Sequence, residues 1–245
     1  MRRLVRLTGP DALSFLQGLV SNDVLPLKAR GIVYAALLTP QGRYLADFFV
    51  VNTGTELLLD LPESLADGVM RRLAMYRLRA DVAFAASDLS VSRGIGDASE
   101  GALPDPRHPA LGWRLYGAPL PEAAVDWDAI RVAHIIPETG IELIPDETLI
   151  LEAGFERLNG VDFRKGCYVG QEVTARMKHK TELRKGLVRL HISGTAPAGT
   201  PILMADGREA GRLFTQSGDR ALAQMRLDRL AGPLQAGDAI LRTDA

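Results

Sequence analysis

The 245-residue chain reads as an α+β protein built in more than one part. Two patterns predict this. Residues 43–86 run strand, strand, helix, strand, the order of a ferredoxin-like unit. Residues 186–242 break into short apolar runs separated by glycine turns, the spacing of a small all-β barrel. The net charge of −1 gives no global field for nucleic acid or membrane, so direct nucleic-acid binding is not expected.

Met1–Leu7 alternates as a strand, and Thr8 is placed to cap a helix with Pro10 and Asp11 in its first turn, ending near Gly18. Ile32–Thr39 and Arg43–Val51 flank Pro40-Gln41-Gly42 and predict a β-hairpin. Glu56–Leu61 is a further strand. Ser64–Arg79 is a helix with Leu65, Val69, Leu73 and Tyr76 on one stripe. Arg71, Arg72, Arg77 and Arg79 crowd its later part and read as a solvated face. Asp81–Ala86 returns as a strand. Gly94–Gly112, rich in glycine and proline, is expected to be a surface loop between strands at Ser90–Arg93 and Trp113–Tyr116. Asp128–Ile135 is a short helix, Pro137–Pro145 a turn-rich connector, and Glu152–Leu158 a helical turn. A domain boundary is expected near residue 184.

Chemistry concentrates at Lys165-Gly166-Cys167-Tyr168-Val169-Gly170-Gln171-Glu172, around the only cysteine. Flanking glycines signal unusual backbone angles or close approach. Lys165 and a helix opening near Gly170 favour a thiolate. Three roles fit Cys167: nucleophile, shared iron ligand, or redox-sensitive thiol. Gln171 and Glu172 suit first-turn amides. A cluster needs about four thiolates. One thiol and His108, His134, His179 and His191, without metal-ligand spacing, cannot supply them. The basic run Arg176, Lys178, His179, Lys180, Arg184 and Lys185 reads either as a solvated helix end or as an anion site. A single cysteine, no signal-peptide pattern and no long apolar stretch make the cytoplasm the expected compartment, with no membrane partner.

The octapeptide 165–172 resembles the cysteine motif of the folate-binding YgfZ family, relatives of the glycine-cleavage T-protein. Leu158–Phe163, Val173–Arg176, Phe15–Gly18, Ser21–Val24, Leu38–Arg43 and Asp47 are similar to other family segments. The resemblance implies a GcvT-like multidomain fold. Its expected parts are 1–45 plus 117–184 as a folate-binding core, 46–116 as an inserted ferredoxin-like unit, and 185–245 as the barrel. It implies a tetrahydrofolate cavity involving Trp127 and Arg131, with Gly166, Tyr168, Gly170, Gln171 and Glu172 around the site. It also implies work on iron–sulfur clusters, shared transiently with an A-type carrier, for client proteins that include tRNA-modifying radical enzymes. In this reading Cys167 is the reactive group or metal ligand, assisted by Lys165. The alternative is a tetrahydrofolate-dependent aminomethyltransferase centred on Asp47. Ala46 and Ala133 stand where the T-protein branch carries carboxylates, which implies impaired transfer.

Overall fold

The computed structural model describes residues 1–121, 124–180 and 182–243. The chain packs as two units: Met1–Val125 with Phe155–Ala175, and Asp126–Gly154 with Arg176–Ala245. In the first unit, β1 (Arg2–Thr8) leads through α1 (Ala12–Gln17) to β2 (Gly31–Leu38), β3 (Tyr44–Asn52) and β4 (Leu57–Pro62). Helix α2 (Glu63–Arg77) then returns the chain to β5 (Ala83–Ala86). All five strands form one antiparallel sheet in the order β2-β3-β4-β1-β5.

The hairpin forms where the turn chemistry requires it. Gly42 adopts φ +76° and its N–H donates to the Thr39 carbonyl at 2.9 Å. Helix α2 buries Ala66, Val69 and Leu73, the stripe set by the 3.6-residue period. These side chains join Leu16, Leu37, Phe48, Val50, Leu59 and Leu61 in one core. Thr8 ends β1 instead of capping α1. Asp11 takes the cap position, yet its side chain accepts from the Asp81 N–H at 2.8 Å.

Strand β1 corrects the expected partition. It lies between β4 and β5, so the ferredoxin-like crossover through α2 is completed by residues 2–8. The β2–β3 ladder also runs across the expected boundary at residues 45 and 46. Strands β1 to β5 therefore share one sheet across that boundary, and residues 1–45 cannot be separated from residues 46–86.

Strands β6 (Ser90–Gly94), β7 (Leu103–Pro104) and β8 (Trp113–Gly117) make a small second sheet in the order β6-β8-β7. The connecting segment is not the surface loop expected. Leu103, Asp105, Arg107 and Leu111 are buried. Arg107 pairs with Asp105 at 2.9 Å, and Arg114 from β8 reaches Asp60 at 2.8 Å and Asp105 at 3.4 Å. Arg2 also bonds Asp60 at 2.6 Å, and Tyr116 donates to it at 2.9 Å. Burial raises the Asp60 carboxyl, but Arg114 and Arg2 outweigh it and hold it below the usual carboxylate range. Arg114 stacks over Phe49 at 4.1 Å from the ring centroid.

In the second unit, α3 (Trp127–His134) precedes the turns of 137–154. Helix α4 (Gln171–Lys180) spans the division between the units. Then β9 (Lys185–Ser193), β10 (Pro201–Met204), β11 (Glu209–Ser217), β12 (Arg220–Arg226), β13 (Leu234–Ala236) and β14 (Ala239–Thr243) close into a barrel. Its strand order is β10-β11-β12-β9-β14-β13. Closure leaves no open sheet edge. Leu190, Ile202, Leu213, Met225 and Leu241 fill the interior. The barrel was expected to reach residue 245; residues 244 and 245 lie outside those described. Among the described residues, no helix is long and apolar enough to cross a membrane.

Candidate functional site

The segments singled out by resemblance converge in the first unit. Ser21 Oγ donates to the Gly160 carbonyl at 2.6 Å and accepts from the Ala36 N–H at 2.8 Å. Asn22 Nδ2 donates to the Tyr34 and Asn159 carbonyls at 2.8 and 2.7 Å. The segment approaching Cys167 is thus fastened to the loop after α1 and to β2.

The cysteine loop itself is held from three sides. The Lys165 ammonium donates to the Gln17 carbonyl at 2.5 Å and to the Val20 carbonyl at 2.8 Å, at the end of α1. Those carbonyls have no partner within the helix, and a cation suits them. The same Nζ lies 4.8 Å from the Tyr168 ring centroid. Gln17 Nε2 donates back to the Lys165 carbonyl at 3.2 Å, and the Val169 N–H donates to the Gly18 carbonyl at 3.2 Å. Partial burial draws the Lys165 pKa down to about 8, against the opposing pull of Asp23, Asp162 and Cys167.

The two glycines do different work. Gly166 has φ +94° with open space where a Cβ would stand, so only its backbone angle demands glycine. Gly170 has φ +82°, and a Cβ there would sit 2.3 Å from the Thr39 carbonyl oxygen. Gly42 in the hairpin turn reciprocates: its Cβ would lie 2.8 Å from Val173 Cβ and 3.0 Å from the Gly170 carbonyl oxygen. The hairpin turn and the start of α4 therefore fit together through two glycines. Gln171 Oε1 accepts from the Tyr168 N–H at 3.3 Å, and Glu172 is an exposed acid in the first turn. Thr174 is buried and hydrogen-bonds the Tyr168 hydroxyl, whose pKa burial nonetheless raises. Between these anchors Cys167 is exposed. The arrangement fixes the backbone and leaves one sulfur open to a partner molecule.

Asp47 sits elsewhere in the same unit, buried under Tyr34 and Tyr44. Its Oδ2 accepts from Tyr34 at 3.0 Å and its Oδ1 from Tyr44 at 2.6 Å. Burial, then the Asp47 charge, push the Tyr34 phenol well above its ordinary value, so Tyr34 remains a donor. Phe155 stacks on Tyr34 with ring centroids 5.2 Å apart.

Trp127 and Arg131 belong to the second unit. Trp127 is half-buried at the first position of α3. Arg131, proposed for a folate carboxylate, is instead buried and committed to protein groups. It donates to Glu142 at 2.6 Å, Thr215 Oγ1 at 3.0 Å, Asp128 at 2.7 Å and the Ile136 carbonyl at 3.2 Å. Its partner Glu142 also accepts from the Thr215 and Glu138 N–H groups. This cluster joins α3 and the 138–142 turn to β11. Two cavities open in this unit, of about 390 and 540 Å³. Phe214 lines both; Glu147, Glu152, Lys185 and Arg212 line the first, and Asp128, Gly140 and Gln216 the second. Neither is lined by Trp127 or Cys167. Arg131 is thus committed to protein groups and offers no available cation to a tetrahydrofolate tail.

Sequence reasoning missed Gln17 as the acceptor of the lysine clamp, and it missed the Gly42–Gly170 contact. Each is a pair more than a hundred positions apart. Among the described residues, no group of three or more His, Cys, Asp or Glu side chains is arranged to hold a metal ion.

Comparison with known proteins identifies the fold and the family. Residues 184–245 match the family described as the CAF17 C-terminal β-barrel domain. The mitochondrial iron–sulfur cluster assembly factor IBA57 of Mus musculus is 31% identical, over 95% of this chain and 78% of that protein. The Homo sapiens protein of the same name is 32% identical over the same shares. The glycine cleavage system aminomethyltransferase T of Bartonella henselae superposes with a TM-score of 0.76 at 15% identity, over 98% of this chain and 81% of that one. That likeness identifies the fold as GcvT-like. The identity to the mouse and human proteins, across most of both lengths, goes further: the chain belongs to the family of the IBA57 iron–sulfur cluster assembly factors.

Proposed function

We propose that this protein supports the assembly or insertion of iron–sulfur clusters in client proteins, with Cys167 lending one thiolate to a cluster held jointly with a carrier. The carrying observation is the exposed Cys167 sulfur on a loop whose backbone is clamped at Lys165 and Gly170. A fixed backbone lowers the ordering cost of presenting a ligand. The absence of a multi-ligand metal group among the described residues favours sharing over sole custody. The names of the mouse and human relatives support the same role. The resemblance to YgfZ extends it to an A-type carrier as donor and to tRNA-modifying radical enzymes among the clients. A lone thiol suits a reducing compartment such as the cytoplasm.

Tetrahydrofolate binding has the shared fold in its favour. The aminomethyltransferase reading shares that support and meets a further obstacle, since both Asp47 oxygens already accept phenol hydrogens.

Anaerobic mixing with a cluster-loaded A-type carrier tests the proposal, read by visible absorbance and circular dichroism. Wild type is expected to form a complex with a changed cluster spectrum that Cys167→Ser does not give. An identical spectrum from both proteins would remove Cys167 from the cluster.

A further inference from the structure

Two adjacent cations precede Cys167, and the fold treats them differently. The Lys165 ammonium is turned onto the Gln17 and Val20 carbonyls and lies over the Tyr168 ring. Arg164 is exposed, and among the described residues its side chain makes no hydrogen bond, ion pair or ring contact. The other charged groups of residues 160–172 are engaged. Asp162 Oδ1 accepts from the Arg164 N–H at 2.6 Å, and Glu172 also has a partner. The backbone around Arg164 is anchored on both sides. The Asp162 N–H donates to the Ser21 carbonyl at 3.1 Å, and the Lys165 carbonyl accepts from Gln17 Nε2 at 3.2 Å.

Arg164 cannot lie far from the sulfur. Three residues of extended chain span at most about 11 Å, and Gly166 at φ +94° turns the chain within that span. A long untethered side chain rooted there reaches the space in front of Cys167. The loop thus presents two uncommitted groups together, a thiol and a guanidinium. A cluster ligated by thiolates has a use for both. It carries net negative charge that grows on reduction, and that charge and the hydrogen bonds to its sulfur atoms set its potential and stability. Between two proteins, where water is partly excluded, a nearby cation acts more strongly than in bulk solvent. Lys165 cannot supply that charge at the cluster, because its ammonium is held by the two carbonyls. A guanidinium, weakly hydrated and with five donors, suits the task.

We propose that Arg164 closes over the shared cluster, its guanidinium balancing the cluster's negative charge and donating to its sulfur atoms. The inference rests on the function proposed above and adds a second residue of this chain to the same site.

The test uses the full chain with the cluster-loaded A-type carrier under anaerobic conditions. It reads the reduction potential of the cluster in the complex and the rate at which the cluster is lost to a chelator. Arg164→Gln is expected to shift the potential to a more negative value and to speed cluster loss several-fold. Arg164→Glu should go further in both, and Arg164→Lys should restore most of the wild-type charge effect. The unfolding midpoint of the free protein should not move, since the side chain packs against nothing. Binding of the cluster-free carrier should also be unchanged. Potential and lifetime equal to wild type in the Gln and Glu variants would overturn the role of Arg164 and leave Cys167 at the cluster. Equal weakening of cluster-free and cluster-loaded binding by Arg164→Glu would assign the guanidinium to the carrier protein instead of the cluster, and would also overturn the proposal. A wild-type complex whose cluster signal persists in Cys167→Ser would overturn the underlying function first.

Discussion

The Cys167 loop and the Arg131 cluster use similar devices to opposite ends. In the loop, Lys165 is turned onto two backbone carbonyls and two glycines set the chain's path, so the scaffold is satisfied and the sulfur is exposed. At Arg131, the guanidinium that looks like a ligand-binding group is itself satisfied, by Glu142, Thr215, Asp128 and a carbonyl, and nothing reactive is left facing outward. The difference separates a structural ion pair from a site. A site keeps one chemically capable atom uncommitted while its supports are fully engaged.

The largest effect should come from breaking the structural member of the comparison. Glu142→Ala leaves the buried Arg131 charge without its main partner and is expected to cost about 3–5 kcal/mol in urea unfolding. The pair replaced by Arg131→Met/Glu142→Leu should recover most of that loss. Recovery would show that the pair serves packing; failure to recover would reopen a binding role for Arg131.

Gly170→Ala attacks the loop scaffold. With φ +82° and a Cβ 2.3 Å from the Thr39 oxygen, it is expected to cost about 1–3 kcal/mol. Alkylation of Cys167 should change with it. Gly166→Ala meets only the backbone strain and should cost less. Equal costs would mean that the hairpin contact contributes nothing.

Lys165 adds a pH test. Its folded pKa of about 8 lies below the unfolded value near 10.4, so between these limits the unfolded chain binds more protons. Stability should therefore rise with pH across that window. The unfavourable contribution is fully present below about 8. Lys165→Met should flatten the rise, measured as unfolding midpoint against pH. An unchanged slope would contradict the assigned shift.

Cys167→Ser should have the smallest effect on the fold, within about 0.5 kcal/mol, because the exposed sulfur packs against little. A larger loss would make the thiol structural.

Local period and turn chemistry made much of the fold legible. The Pro40-Gln41-Gly42 hairpin, the apolar stripe of α2 and the glycine-punctuated barrel are all written in short windows. What escaped depends on distant partners. Residues 94–112 look like a loop because the burial of Arg107 depends on Tyr34 and Phe49, on β2 and β3, and that of Asp105 on Arg114, which itself reaches back to Asp60 on β4. The boundary near residue 45 failed because β1 inserts between β4 and β5, which no local pattern announces. The cysteine loop was legible as a candidate site from its glycines and lysine, and the structure leaves its thiol exposed. The lysine's true target, the end of α1, was not, because carbonyl acceptors leave no mark in a side-chain sequence.

The most direct test of the central claim places selenocysteine at position 167 and records selenium X-ray absorption after anaerobic mixing with a cluster-loaded carrier. A selenium–iron scattering path in the complex is the result expected if residue 167 is a cluster ligand. A complex that retains its cluster while selenium shows only a carbon neighbour would contradict the account.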